Sequence, residues 1–159
     1  EQAQDPEELE SVRRAQADGL ARAGNMTGAR GAYEAVLKVS PNNAEVLNNY
    51  AHVLLALKDT TGAGKAAAAA LALKPEAPHI LGTAGWVAFK SGQSDRGLQL
   101  LRDARLRDPA NADTRYYLAA ALAGTGRSVE AREELKSALA SGASFASAKE
   151  AQELLQTLK

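Results

Sequence analysis

DPANADTRYYLAAALAGTGRSVEAREELKSALA, residues 108–140, reads as two helices and the turns that bound them. Asp108-Pro109-Ala110-Asn111 stops one helix and starts the next, because proline cannot continue a helix. Gly126 closes the first of the two, since glycine accepts the left-handed conformation that follows a helix end. Pro109 is also the last of three prolines, Pro41, Pro75 and Pro109, set 34 residues apart. A fixed period of that size marks a stack of one repeated helical unit. It points to a scaffold that binds something rather than to an enzyme.

The period holds in other columns. Ala17, Ala51, Gly85 and Ala119 share one register and Ala29, Ala63, Gly97 and Ala131 a second, all small. Leu20, Leu54, Ala88 and Leu122 share a third, and Val36, Ala70, Ala104 and Ala138 another. Gly24, Gly92 and Gly126 share a column that Lys58 breaks. Small residues recur where two antiparallel helices press backbone to backbone, and larger apolar residues fill the gaps beside them.

Composition agrees with helix. The hydrophobic fraction is 45% while the aromatic fraction is 4%, so the apolar mass is Ala and Leu. The formal net charge is zero, which disfavours wholesale binding of nucleic acid or an anionic membrane. There is no cysteine, so disulfides, thiol catalysis and cysteine–metal sites are excluded. No run approaches the roughly 18 apolar residues a membrane span needs. A chain that starts at Glu1 is expected to be trimmed, and leaves any signal peptide or lipid anchor unjudged.

Nine helices are expected. The first starts at Asp5-Pro6-Glu7-Glu8, with Asp5 as the cap, and runs to about Ala23. The second is capped by Asn25 or Thr27 and ends near Val39. The others cover about 44–57, 60–73, 78–90, 94–107, 112–123 and 128–140. After a turn at Ser141-Gly142-Ala143-Ser144, a last helix spans about 147–158 and covers the apolar face left by the fourth pair. No linker is long enough to separate domains, so residues 1–159 read as one domain.

This pattern resembles the tetratricopeptide repeat family, over about Glu10 to Ser141 plus the cap. The resemblance implies an all-α, right-handed superhelical solenoid of four helix-turn-helix repeats, about 10–43, 44–77, 78–111 and 112–141, with a C-terminal capping helix at about 147–158. It implies a non-catalytic scaffold with a protein or peptide partner. Leu47-Asn48-Asn49-Tyr50-Ala51, Leu81-Gly82-Thr83-Ala84-Gly85-Trp86-Val87, Gly97-Leu98-Gln99-Leu100-Leu101 and Thr114-Arg115-Tyr116-Tyr117-Leu118-Ala119 look like a narrower group. These are the C-terminal repeats of bacterial lipoproteins found with exosortase (PEP-CTERM) and exopolysaccharide-export systems. That group carries an acidic residue where this chain has Thr83. Membership implies a bacterial envelope or periplasmic setting, with the cytoplasm an open alternative.

In such repeats the first helices line a concave groove. By that register the partner-binding candidates are Arg14, Asn48, Asn49, His52, His79, Trp86, Phe89, Lys90, Tyr116 and Tyr117. Four of the chain's seven aromatics and both histidines fall on this face. Aromatics there suit peptide recognition, because they bury much area for little entropy. The alternative is that Trp86 and Phe89 fill space between neighbouring helices. The family's carboxylate clamp is matched by Arg14 and Asn49 alone. Asp18 stands where Asn is expected and would repel a ligand carboxylate, and His79 and Thr83 replace the expected bases.

Other chemistry falls away. His52, His79 and Glu45 suggest a metal site only weakly, and hydrogen-bonded or solvated histidines are the expectation. Gly62-Ala63-Gly64-Lys65 is no phosphate loop, since Asp59 stands where glycine is needed and Ala66 where Ser or Thr would hold magnesium. Asn25-Met26-Thr27 matches a glycosylation sequon, but a helix cap explains it. No serine–histidine–aspartate set has a strand-to-helix elbow to activate it. No catalytic residue, metal or cofactor is expected. Arg96, Arg102, Arg105, Arg107 and Arg115 interleave with Asp95, Asp103, Asp108 and Asp113, as on a salt-bridged, solvated face. Arg105 is the odd member, occupying the column of Leu37, Leu71 and Leu139. Either it snorkels or Leu106 takes its place. Two functions stay open: a groove that holds a partner segment, and a spacer or self-association module of a longer solenoid with no open groove.

Overall fold

The computed structural model describes residues 6–142 and 144–158. The described residues form nine α-helices and no strand. The chain divides at the Pro75 linker into two compact units, one ending at Pro75 and one beginning at Glu76.

The first unit holds α1 (Pro6–Arg22), α2 (Met26–Val39), α3 (Ala44–Ala56) and α4 (Thr60–Leu73). The Asp5 cap lies outside the described residues. Asn25, not Thr27, caps α2, its Oδ1 accepting from the Gly28 amide at 2.9 Å. Asp59 caps α4 in the same way through the Gly62 amide at 2.8 Å. Neither glycine has room for a Cβ, which would meet the capping side chain. Asn43 caps α3 through the Val46 amide, and its Nδ2 donates to Glu10 on α1 at 2.8 Å. Ser40 Oγ donates to the other oxygen of the same carboxylate. The proline linker before α3 is thus tied back to α1. Ala17, Ala29, Tyr33, Val36, Val46 and Val53 form the core. In α4, Ala66, Ala67 and Ala70 are buried, so the alanine run is a close packing surface.

The second unit holds α5 (Pro78–Lys90), α6 (Ser94–Arg107), α7 (Ala112–Gly124), α8 (Ser128–Ala140) and α9 (Ala148–Thr157). Pro78 opens α5 at a position whose N–H has no partner in a helix, so the missing side-chain cap at Ala77 costs little. Within this repeat both small columns are glycine, and the backbones touch. A Cβ on Gly97 would lie 2.9 Å from the Gly85 carbonyl oxygen and the Phe89 amide nitrogen. In the other repeats the same columns hold Ala17, Ala51, Ala119, Ala29, Ala63 and Ala131, all fully buried.

The helix ends explain the glycine column. Gly24, Gly92 and Gly126 have φ of 80°, 85° and 82°. Lys58, which breaks the column in sequence, keeps its geometry with φ 66°. Helix α9 packs on α7 and α8 through Leu154 and Leu155, with Leu158 just past its end, against a core of Leu118, Leu122 and Leu135. Ala151, fully buried, stands 32 residues after Ala119. The cap therefore resembles the first helix of a further repeat, reached two residues early.

Candidate partner-binding face

Each unit gathers part of the candidate set. In the first, three helices converge on Asp18. The Tyr33 hydroxyl donates to Asp18 Oδ1, and Asn49 Nδ2 donates to the same oxygen at 3.1 Å. Arg14 Nε lies 3.8 Å from Asp18 Oδ2. Two clamp-like donors, Arg14 and Asn49, are thus turned toward a carboxylate the chain itself supplies. Burial, with the Asp18 carboxylate opposite, drives the Tyr33 phenol well above its ordinary range. Asn48 is buried and donates to Asn49 Oδ1 at 3.3 Å, while its own Oδ1 has no hydrogen-bond partner. His52 is half-buried and His79 exposed. No cluster of three or more metal-ligating side chains occurs among the described residues.

The second unit brings Trp86, Phe89 and Lys90 of α5 together with Tyr116 and Tyr117 of α7. Gly82 lets the helices approach, since a Cβ there would meet Thr114 Oγ1 at 3.0 Å. Gly124 does the same near the other end, where a Cβ would sit 2.8 Å from Phe89 Cζ. Phe89 thereby packs into the gap between the helices and onto the core. The closeness lets Trp86 and Tyr117 stack, with centroids 4.7 Å apart and planes within 17°. Tyr116 and Phe89 flank Trp86 at tilted angles, each centroid 5.9 Å away. The Lys90 ammonium lies over the Trp86 ring, 5.4 Å from its centroid. Such contacts add about 0.5–1.5 kcal/mol per aromatic pair beyond area burial, so the rings are preorganised.

The segment before α9 holds one side of this cluster. The Ser147 amide donates to Asp113 Oδ1 at 2.9 Å, linking residues one repeat apart. Burial pushes the Tyr117 phenol up to about 12, Asp113 adds to the rise, and a hydrogen bond with Ser147 opposes it. Burial raises Tyr116 too, helped by Glu150 and Glu153 of α9. Ser147 was not expected in the site. Its only signal in the sequence is its spacing of 34 from Asp113.

The shift that would put Leu106 in the arginine column does not occur. Arg105 keeps its place in the column, half-buried, and Leu106 is exposed. Glu134 of α8 supplies the counter-charge, 3.3 Å from Arg105 Nε and 2.6 Å from Arg115 Nη1. The first contact is an ion pair without hydrogen-bond alignment, for Arg105 Nε is buried with no hydrogen-bond partner. Arg102 and Arg127 share Glu130 in the same manner, as a solvated salt-bridged face would.

No curated protein matches the sequence. Solved structures do. A thermophilic TPR protein of Thermus thermophilus, TTC0263, is similar at a TM-score of 0.81 and 22% identity, over 94% of this chain and 80% of that one. PilW, a type IV pilus biogenesis factor, is similar at 0.75 and 21%, over 93% and 70%. YrrB, described as a TPR protein with an unusual peptide-binding site, is similar at 0.66 and 18%, over 84% and 69%. At these identities the likeness concerns the fold. Sequence models of the tetratricopeptide repeat match residues 14–78 and 88–158. With the 34-residue columns and helix pairs described above, the chain belongs to the tetratricopeptide repeat family, whose members are in general protein-interaction scaffolds.

Proposed function

We propose that this chain is a non-catalytic scaffold that holds an extended segment of a partner protein, and that the second unit makes the principal contact. The observation that carries this is the Trp86–Tyr117 stack, a half-buried aromatic surface fixed by close helix approach rather than by its own flexibility. Preorganised rings lose little entropy on binding, which is why aromatics dominate interface energetics. Trp86 is the only tryptophan, so its emission reads the site directly. An open platform gives a red-shifted emission that acrylamide quenches. A blue emission that resists acrylamide would overturn the proposal.

The first unit favours a second reading for its own half, that of a spacer. Its candidate donors Arg14, Asn48 and Asn49 are engaged internally, Arg14 and Asn49 at Asp18 and Asn48 at Asn49 Oδ1. We propose a bacterial envelope setting, tied to exopolysaccharide export or exosortase sorting, on the strength of the four sequence segments quoted above. The genes beside the full reading frame test that setting. Neighbours unrelated to either system would sink it.

A further inference from the structure

We infer that the platform selects an acidic segment with an adjoining apolar anchor, the partner carboxylate on Lys90 and the anchor, a ring or a leucine, against Trp86 and Tyr116. This rests on the reading that the platform binds a protein segment at all. Charge decides the chemistry. Lys90 is exposed at the C-terminal end of α5, and no carboxylate among the described residues pairs with it. It lies over the Trp86 ring. An exposed cation–π contact is worth about 0.5–1 kcal/mol and leaves an ammonium with three donors to satisfy. A carboxylate placed there forms a charge-assisted bond at the edge of an apolar surface, where water competes less.

The other side of the platform has the opposite sign. Asp113 acts on Tyr117, and Glu150 and Glu153 act on Tyr116. Lys90 comes from the end of α5, whereas Asp113 opens α7 and Glu150 lies in the first turn of α9. Lys149 offsets Glu153, 3.9 Å away, so the polarity rests on Lys90 at one edge and on Asp113 and Glu150 in the first turns of α7 and α9 at the other. A segment whose acidic residue precedes or follows its anchor docks one way round, and a basic residue at Lys90 is repelled. An uncharged apolar segment gains nothing from either edge.

A phage-displayed random peptide library selected on the immobilised full chain, with Trp86→Ala as counter-selection, tests this. Enriched peptides are expected to carry Asp or Glu within about two residues of an aromatic or leucine anchor. They should shift the Trp86 emission, bind Lys90→Glu at least about tenfold more weakly, and bind Lys90→Gln at an intermediate level. Selection on Lys90→Glu should enrich Lys or Arg beside the same anchors. Trp86-dependent peptides that lack acidic residues and ignore Lys90→Glu would overturn the charge assignment while leaving the platform in place. A library with no Trp86-dependent binder would overturn the platform itself. A dimer of the chain that Trp86→Ala abolishes would name a second copy as the occupant and overturn the inference.

Discussion

Lys58 pays for its column. At φ 66° a Cβ crowds the following carbonyl, at a cost of about 1–2 kcal/mol, which Gly24, Gly92 and Gly126 avoid. Lys58→Gly removes that strain but frees the unfolded chain by about 0.5–1 kcal/mol. The expected net gain is up to about 1.5 kcal/mol, seen as a higher urea midpoint at unchanged slope. Gly97→Ala is the opposite case. Its Cβ would press on the Gly85 carbonyl and the Phe89 backbone, neither of which can swing aside, and a loss of about 1–3 kcal/mol is expected. Arg105 shows the limit of column reasoning. The break in a leucine column was visible in the sequence, yet its answer, Glu134, lies on another helix and serves Arg115 as well. Arg105→Leu should be neutral or stabilising, since Glu134 keeps Arg115. Glu134→Ala should cost about 2 kcal/mol, because it leaves two half-buried guanidiniums without their counter-charge. Equal losses for both variants in urea denaturation would refute that account.

Helix ends were legible because each is written in a few adjacent residues. Asn43 and Asn111 cap from within the proline linkers that fall between helices, and Asp59 caps just before the helix expected from residue 60. Within the candidate site, the column register placed Trp86, Tyr116 and Tyr117 on one face. It could not say which rings stack, because that depends on how closely α5 and α7 approach at Gly82 and Gly124. Nor could it tell that Asn49 of α3 donates to Asp18 of α1, a contact made across helices, beside the i,i+4 pair of Arg14 and Asp18 within α1. Helix α9 was expected as a lid over the last repeat, and its leucines seat it on α7 and α8. Leu155 is half-buried there, so Leu155→Ala should cost roughly 1–2 kcal/mol, less than the ~2–5 of a fully buried leucine. The loss should appear in Trp86 emission during urea unfolding, since Trp86 and α9 belong to the same unit.

Across the whole molecule, titration should bound stability on two sides. On the acid side the identified groups lie in the first unit. Hydrogen bonds from Ser40 and Asn43 hold Glu10 below its ordinary value of 4.5, and Arg30 and Tyr50 do the same for Glu34. A carboxylate whose folded pKa is depressed contributes stability above the unfolded value, and loses it as pH falls through the folded one. Both side chains are well solvated, so the effect is modest, and it is in place at neutral pH. On the alkaline side the sign reverses in form. Burial raises Tyr50 and Tyr117 from 10.0 to about 12, and raises Tyr33 further. A folded state that holds its phenol protons more tightly is fully stabilised below pH 10, and loses that stabilisation as pH climbs toward the folded values. For Tyr117 the loss is on the order of 2 kcal/mol. Thermal midpoints followed by circular dichroism should therefore form a plateau through neutral pH with a shallow acid limb and a steeper alkaline one. Glu10→Gln with Glu34→Gln should flatten the acid limb and leave the alkaline one. Tyr117→Phe should lower the plateau by a few degrees, the equivalent of about 1 kcal/mol, through its lost bond to Ser147, yet soften the alkaline limb. An alkaline limb that Tyr33→Phe, Tyr50→Phe and Tyr117→Phe together leave unchanged would mean that lysine titration, not phenol burial, governs the loss.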